Sequence, residues 1–293
     1  RTRFEQDGDG VWQVVDDELS LEVAEVDLRG FEDPEAEAER LAVEDASRPF
    51  DLEGGAPVRS SLLRLGEESW VLLFCMHHIC SDGWSMGVLV SDVLSLYDSF
   101  RLGEEPSLDP LRIQYRDYAA WQNASLSDGS LDSSREYWLG KLSGVRPLEL
   151  PCDRPRPRVK SYNGSELEFS IASGRLSALK ELFSSEGATL FMGLVALSKV
   201  LLRRYAGQDD VTVGSPVSGR DHADLRDQIG FYVGTLALRD EVSLEESLGS
   251  LLSKVRSTVL EAFEHQKYPF DSIVEDLDLE RDTSRSAVFD VMV

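Results

Sequence analysis

Two histidines, an aspartate and a glycine fall within one short stretch, Met76-His77-His78-Ile79-Cys80-Ser81-Asp82-Gly83-Trp84-Ser85. An imidazole is the one side chain that is both neutral and basic at about pH 7 without large tuning. Placed in a cleft, His77 or His78 suits general-base work on an amine or hydroxyl nucleophile, which points to acyl transfer. Three other readings of the pair stand beside this one: satisfied core histidines, metal ligands, or a turn without chemistry. Adjacent residues on a strand face opposite sides, so both rings cannot easily bind one ion, and no metal site is expected. By the same alternation, if one ring faces a cleft, the other faces the core. The thiol of Cys80 is an alternative nucleophile, although Cys75 and Cys80 sit inside apolar sequence and read first as small buried side chains. A carboxylate at Asp82, beside apolar sequence, needs a cation. Arg220, in the glycine-flanked loop Ser215-Pro216-Val217-Ser218-Gly219-Arg220, is the candidate for that structural salt bridge.

The elements around this stretch must hold it rigidly. The apolar run 70–75 predicts a buried strand, and apolar residues at Met86, Leu89, Val90, Val93, Leu94, Tyr97 and Phe100 predict a helix with one face inward. The candidate residues thus lie between a strand end and a helix start, whose unpaired N–H groups suit a developing oxyanion. Upstream, Gln6-Asp7-Gly8-Asp9-Gly10 lacks the ligand spacing of a calcium loop and reads as a hairpin turn. Leu19, Leu21 and Val23, then Val26 and Leu28, suggest a strand. Asp33-Pro34 caps a helix running to Ser47, and a strand is expected over 59–65. Two helices are predicted over 111–121 and 133–142. The close prolines Pro151, Pro155 and Pro157 exclude a helix or central strand and mark a crossover between lobes. Beyond it the pattern predicts a strand at 166–171, a helix at 173–185, and a nearly all-apolar, buried helix from Thr189 to Tyr205 stopped by Gly207. Strands at 210–214 and 230–239, a long amphipathic helix over 244–263, a short helix after Pro269 and a last strand at 287–293 complete the chain.

At 293 residues the chain is long enough for two lobes,. A net charge of −24 argues against nucleic acid, whose phosphates need clustered Lys and Arg,. No apolar run has the length of a bilayer span, so no membrane association is expected. The start shows neither a basic n-region with an apolar h-region nor a Met, so no signal peptide is expected and the chain reads as an excised piece. Three cysteines without a CxxC pair fit a reducing, cytoplasmic setting,.

His77-His78-Ile79-Cys80-Ser81-Asp82-Gly83 resembles the HHxxxDG signature of the condensation domains of non-ribosomal peptide synthetases. The resemblance covers the whole chain. Arg1-Thr2-Arg3-Phe4 is similar to the end of RHExLRTxF, and Tyr115-Arg116-Asp117-Tyr118-Ala119-Ala120-Trp121 to YxDYAVW. The run from Ile229 to Arg239 is similar to IGxFVNTLxLR, the run from His265 to Asp271 to HQDYPFE, and the run from Arg281 to Phe289 to RDxSRNPLF. The resemblance implies an α/β (α+β two-layer) fold with two chloramphenicol-acetyltransferase-like lobes in a V-shaped pseudo-dimer. The lobes are expected over 1–150 and 164–293, joined by the proline-rich crossover 151–163. It implies peptide-bond formation: the amine of an acceptor aminoacyl thioester attacks the donor thioester carbonyl. Both substrates would ride on phosphopantetheine arms of upstream and downstream carrier domains, next to an adenylation domain, with no cofactor bound by this domain. His78 takes the position of the catalytic residue, His77 and Gly83 complete the motif, and Asp82 takes that of a structural residue held by an Arg.

Heterocyclisation domains carry Asp in place of the histidines, and plant-type coenzyme A acyltransferases carry a DFGWG motif that is absent here. The residues after Gly83 resemble the type joining an L-donor to an L-acceptor more than epimerisation domains. Gly234 departs from the pattern, standing where the family has Asn. The chain begins inside one family motif and ends at the last, so it reads as truncated at both ends and is expected to be inactive or unstable alone. A different class of function, a catalytically silent docking platform for carrier or tailoring proteins, is the alternative.

Overall fold

Gly8, with φ near +60°, turns β1 (Thr2–Asp7) into β2 (Gly10–Val15), an antiparallel pair with Phe4 opposite Gln13. The computed structural model describes residues 2–8, 10–17, 21–161, 163–279 and 282–293. The parts of the readings above that rest on Arg1, Asp9, Leu19 and Arg281 lie outside the described residues. Contacts divide the chain into two units, residues 1–115 with 224–232, and residues 116–223 with 233–293.

In the first unit, β3 (Val23–Asp27) lies parallel to β4 (Val58–Arg64), which pairs antiparallel with β5 (Trp70–Met76). Between β3 and β4 runs α1 (Pro34–Ser47), where Asp33 accepts from the Ala36 N–H at 3.0 Å and Pro34 takes the first turn, as its sequence predicts,. Leu28, Ala38 and Leu63 form the small core, flanked by Val26, Leu41, Leu65, Val71 and Leu73. The helix predicted after the histidines is α2 (Gly83–Leu102), closed by Gly103 at φ +71°,. Its helical period is correct, but its predicted burial is not found. Met86, Val90, Leu94, Tyr97 and Phe100 are exposed, because no element among the described residues of this unit covers that face.

α3 (Tyr115–Ser127) leads from the first unit into the second, and α4 (Asp132–Leu142) follows. By contacts, α4 and the prolines of 151–163 both fall in the second unit. The reason is local: Trp138 and Leu142 of α4 are fully buried in the second core. The proline-rich segment also belongs to that unit. The Lys160 N–H donates to the Thr283 carbonyl at 2.8 Å, and the Thr283 hydroxyl donates to the Arg158 carbonyl at 2.6 Å.

The second unit packs α5 (Ser173–Ser185), α6 (Leu190–Ala206), α7 (Leu248–Glu264) and α8 (Phe270–Asp276) with the antiparallel pair β6 (Asp210–Val217) and β7 (Gly234–Glu241). Thr189 caps α6 by accepting from the Met192 N–H, and Gly207 ends it at φ +67°. One face of α6 is buried through Val195 and Ala196, whereas Leu201 and Tyr205 are exposed, so the helix is amphipathic rather than buried all round. Lys199, with no exposed surface, is paired with Asp240, whose other oxygen accepts from the Thr258 hydroxyl at 2.6 Å. Burial pushes the Lys199 ammonium below its usual range,.

Two predicted strands differ. Residues 166–171 form none, and Leu167 and Phe169 are exposed: their alternation meets no partner strand among the described residues. Residues 287–293 make a single bridge, Gly214 to Met292. No single helix among the described residues is long and apolar enough to cross a membrane.

Candidate functional site

β5 ends at Met76, so the pleat alternation anticipated for the two histidines does not reach them. His77 instead caps one tight helical turn, His78–Cys80. Its backbone N–H donates to the Pro57 carbonyl at 2.8 Å, and its Nδ1 accepts from the Ile79 N–H at 3.0 Å. The His77 ring lies edge-on to Phe50, with centroids 5.8 Å apart. In neutral His77, therefore, Nδ1 carries the lone pair and Nε2 the hydrogen.

His78 has the opposite tautomer. Its Nδ1 lies 2.7 Å from the Ser81 carbonyl oxygen, which can only accept. Nδ1 thus carries the hydrogen, and the basic lone pair of the neutral ring sits on Nε2. The His78 ring packs edge-on against Phe231, with centroids 5.2 Å apart and planes at 77°. His78 is exposed.

Asp82 is 5 % exposed and caps α2. Its Oδ1 accepts from the Ser85 N–H at 2.8 Å and lies 2.7 Å from the Ser85 hydroxyl; its Oδ2 accepts from the Tyr232 N–H at 3.0 Å. The carboxylate takes one of the helix-start N–H groups that were candidates for an oxyanion, because a buried charge needs donors of its own. The Ser85 side chain is fully buried. Its oxygen accepts from the Gly230 N–H at 3.1 Å and lies 2.9 Å from the Gly230 carbonyl. Gly230 and Tyr232 thus spend backbone groups on Ser85 and Asp82, and the strand predicted from residue 230 begins only at Gly234.

Gly83 is exposed, and a Cβ there would meet open space. Arg220, 5 % exposed, lies in the second unit, in the segment after β6, whereas Asp82 lies in the first. Gly234 opens β7 opposite Val217, and a Cβ on it would come 3.2 Å from Val217 Cγ2. The Cys80 thiol faces the His77 carbonyl at 3.1 Å, and burial pushes it above its usual range, which opposes a thiolate nucleophile,.

Sequence reasoning placed His77, His78, Asp82 and Gly83 together, and the structure does the same. It missed Ser85, Phe231 and the Tyr232 N–H. The signal for Ser85 was its position three residues after a cap. For Phe231 and Tyr232 there was only their place in a recognisable motif, which does not say what they touch.

The family model for the condensation domain matches residues 1–293. A linear gramicidin synthase of Brevibacillus parabrevis is 45% identical over 296 residues, which cover 100% of this chain and 4% of the relative. Surfactin synthase subunit 1 of Bacillus subtilis (strain 168) is 40% identical over 294 residues, covering 100% of this chain and 8% of the relative. The chain thus spans under a tenth of the length of these relatives. Among solved structures, the X-domain from teicoplanin biosynthesis matches with a TM-score of 0.90 at 30% identity, over 100% of this chain and 65% of that one. A four-domain nonribosomal peptide synthetase bound to AMP and glycine matches with a TM-score of 0.87 at 27% identity, over 100% of this chain and 22% of that one. These likenesses bear out the α/β, acetyltransferase-like fold class.

Proposed function

The chain belongs to the condensation-domain family, and from that premise we propose that it forms an amide bond between two carrier-bound thioesters, with His78 as the catalytic residue. The observation that carries this reading is the 2.7 Å contact of His78 Nδ1 with the Ser81 carbonyl, which leaves Nε2 as the basic nitrogen. The acceptor amine attacks the donor thioester carbonyl. Nε2 takes the proton that the nitrogen must lose as the C–N bond forms. The C–S bond then breaks, and the imidazolium returns the proton to the departing thiolate. The Ser81 carbonyl holds the ring in that tautomer and orientation through both steps,. In this reading the substrates arrive on phosphopantetheine arms of carrier domains, an adenylation domain is a neighbour, and the setting is cytoplasmic. Arg220 serves as a structural cation, and Gly83 leaves room beside the helix start.

The test is dipeptidyl-thioester formation, followed by mass spectrometry in the full-length protein with loaded donor and acceptor carriers. Wild type is expected to form the amide, and folded His78→Ala to fall by about 10²-fold or more. Equal rates would assign the acceleration to substrate positioning instead. A docking platform is the second reading. The likeness to the X-domain supports it, since that domain's structures include a complex with OxyB at 29% identity to this chain. No product with any matched substrate pair would favour it.

A further inference from the structure

Phe231 and the His78 ring meet although they are more than 150 positions apart in the chain. Their contact is built from both ends. On one side, His78 is tied to its own turn through Nδ1 and the Ser81 carbonyl. On the other, the backbone on either side of Phe231 is bonded to the start of α2: Gly230 through its N–H to the Ser85 side-chain oxygen, and Tyr232 through its N–H to Asp82. The Phe231 carbonyl itself accepts from the Tyr115 hydroxyl at 2.9 Å. Space also fixes the segment. A Cβ on Gly230 would come within 2.5 Å of the Tyr115 ring and 2.7 Å of the Tyr232 ring. Tyr232 is further held by its hydroxyl, which donates to Gln228 Oε1 at 2.6 Å, and Trp84 Nε1 donates to the Arg226 carbonyl at 2.8 Å. Despite this backbone, the Phe231 side chain stays 39 % exposed. An exposed aromatic ring on a backbone fixed this heavily, set against the His78 ring, is placed for more than core packing,.

We propose that Phe231 is a positioning residue for His78: its ring fixes the imidazole plane and keeps water off one side of it. This rests on the reading of His78 as the catalytic residue. With Nδ1 anchored, the remaining freedom of the imidazole is a swing about its side-chain torsions, and a ring packed edge-on at 5.2 Å opposes that swing,. The other titratable groups on the His78 turn are His77, Cys80 and Asp82. Those on the segment bearing Phe231 and in contact with it are Asp224, Arg226, Asp227, Tyr232 and Tyr115, with Asp224 paired to Arg112 at 3.1 Å.

Two readouts test the proposal on the full-length protein, for wild type, Phe231→Tyr, Phe231→Leu and Phe231→Ala. The first is amide formation at saturating acceptor as a function of pH. Phe231→Tyr is expected to keep the wild-type rate, Phe231→Leu to lose about 3-fold and Phe231→Ala about 10-fold or more across the pH range. The second is modification of His78 by diethyl pyrocarbonate, mapped by mass spectrometry. It reads how accessible the ring is and does not depend on amide formation. Its rate at one fixed pH is expected to rise about 3-fold or more in Phe231→Leu and Phe231→Ala at an unchanged melting temperature, because the ring loses the cover of Phe231,. Wild-type modification profiles in folded Phe231→Leu and Phe231→Ala overturn the proposal, whatever the amide assay gives. A raised modification rate in a protein that makes no amide keeps the positioning contact and overturns the catalytic reading instead. Equal loss in Phe231→Tyr, with a lowered melting temperature, makes the role structural and also overturns it.

Discussion

Three donors converge on the Asp82 carboxylate, the Ser85 N–H, the Ser85 hydroxyl and the Tyr232 N–H, and they approach from two sides. Only a carboxylate offers acceptors to both sides at once. An amide offers one oxygen, so in Asp82→Asn the NH₂ must face either the cap or Tyr232, donor against donor. Asp82→Ala removes a helix cap as well and leaves two backbone N–H groups without it. The cost is about 1 kcal/mol for the cap, whose bond is that of the Ser85 N–H, and about 1–3 kcal/mol for the buried Tyr232 N–H left unsatisfied,. Chemical denaturation is therefore expected to show Asp82→Ala less stable by about 2–4 kcal/mol, and Asp82→Asn by a comparable amount rather than by the few tenths that an isosteric surface change costs. A near-neutral Asp82→Asn would mean that the Tyr232 bond contributes nothing. The same residue explains why motif reading is right about a role and silent about its partners. That Asp82 is structural is legible from burial chemistry alone. That its partners include a backbone N–H 150 positions away is not, because no local pattern encodes a contact at that separation.

At the scale of elements, α5 and α6 meet at a position that admits no side chain. A Cβ on Gly193 would fall 2.2 Å from the Phe183 ring, which is fully buried and cannot swing aside. Overpacking of this kind costs about 1–3 kcal/mol or more, against the few tenths to 1 kcal/mol that Gly→Ala gains in an open helix. The clash wins. Gly193→Ala is expected to lower the melting temperature by several degrees, whereas the combination with Phe183→Leu recovers part of it; stabilisation by Gly193→Ala alone would show that the helices separate freely. Helices such as α1, α6 and α8 were readable because their signals are local: Asp33 with Pro34, Thr189, Gly207, Pro269. The strand at 166–171 was misread for the same reason. Alternation at Leu167 and Phe169 states which residues share a face, but a strand also needs a partner, which sequence alternation does not supply. The candidate turn shows the limit from the other side. The pleat rule was sound for β5, yet it stopped at Met76, one residue before the histidines it was used to orient.

Across the whole chain, the two units differ in how much apolar surface they close. In the first, Leu28, Ala38 and Leu63 make up one buried cluster, and Leu225 and Tyr232 are buried outside it. At about 1.5–3 kcal/mol for each fully buried aliphatic side chain, the two leucines supply about 3–6 kcal/mol. The second unit buries Trp138, Leu142, Phe183, Val211, Leu238, Leu252 and Val255 among others, and its core is several times larger on the same scale. The net charge of −24 opposes compaction of both units and does not alter their order,. The exposed Val90, Leu94, Tyr97 and Phe100 of α2 add nothing to the first unit's side of the balance. For the chain of residues 1–293 we therefore expect unfolding in two steps. Native-state hydrogen exchange is expected to find the slowest amides in β6, β7 and α7, with those of β4 and β5 opening at lower free energy in a separate step. A dye that binds exposed apolar surface is expected to respond before the second step. Equal protection in β4 and β6, with one cooperative transition, would show that the small core is not the weak one. In that case the exposed face of α2 would have to be stabilised by something other than burial.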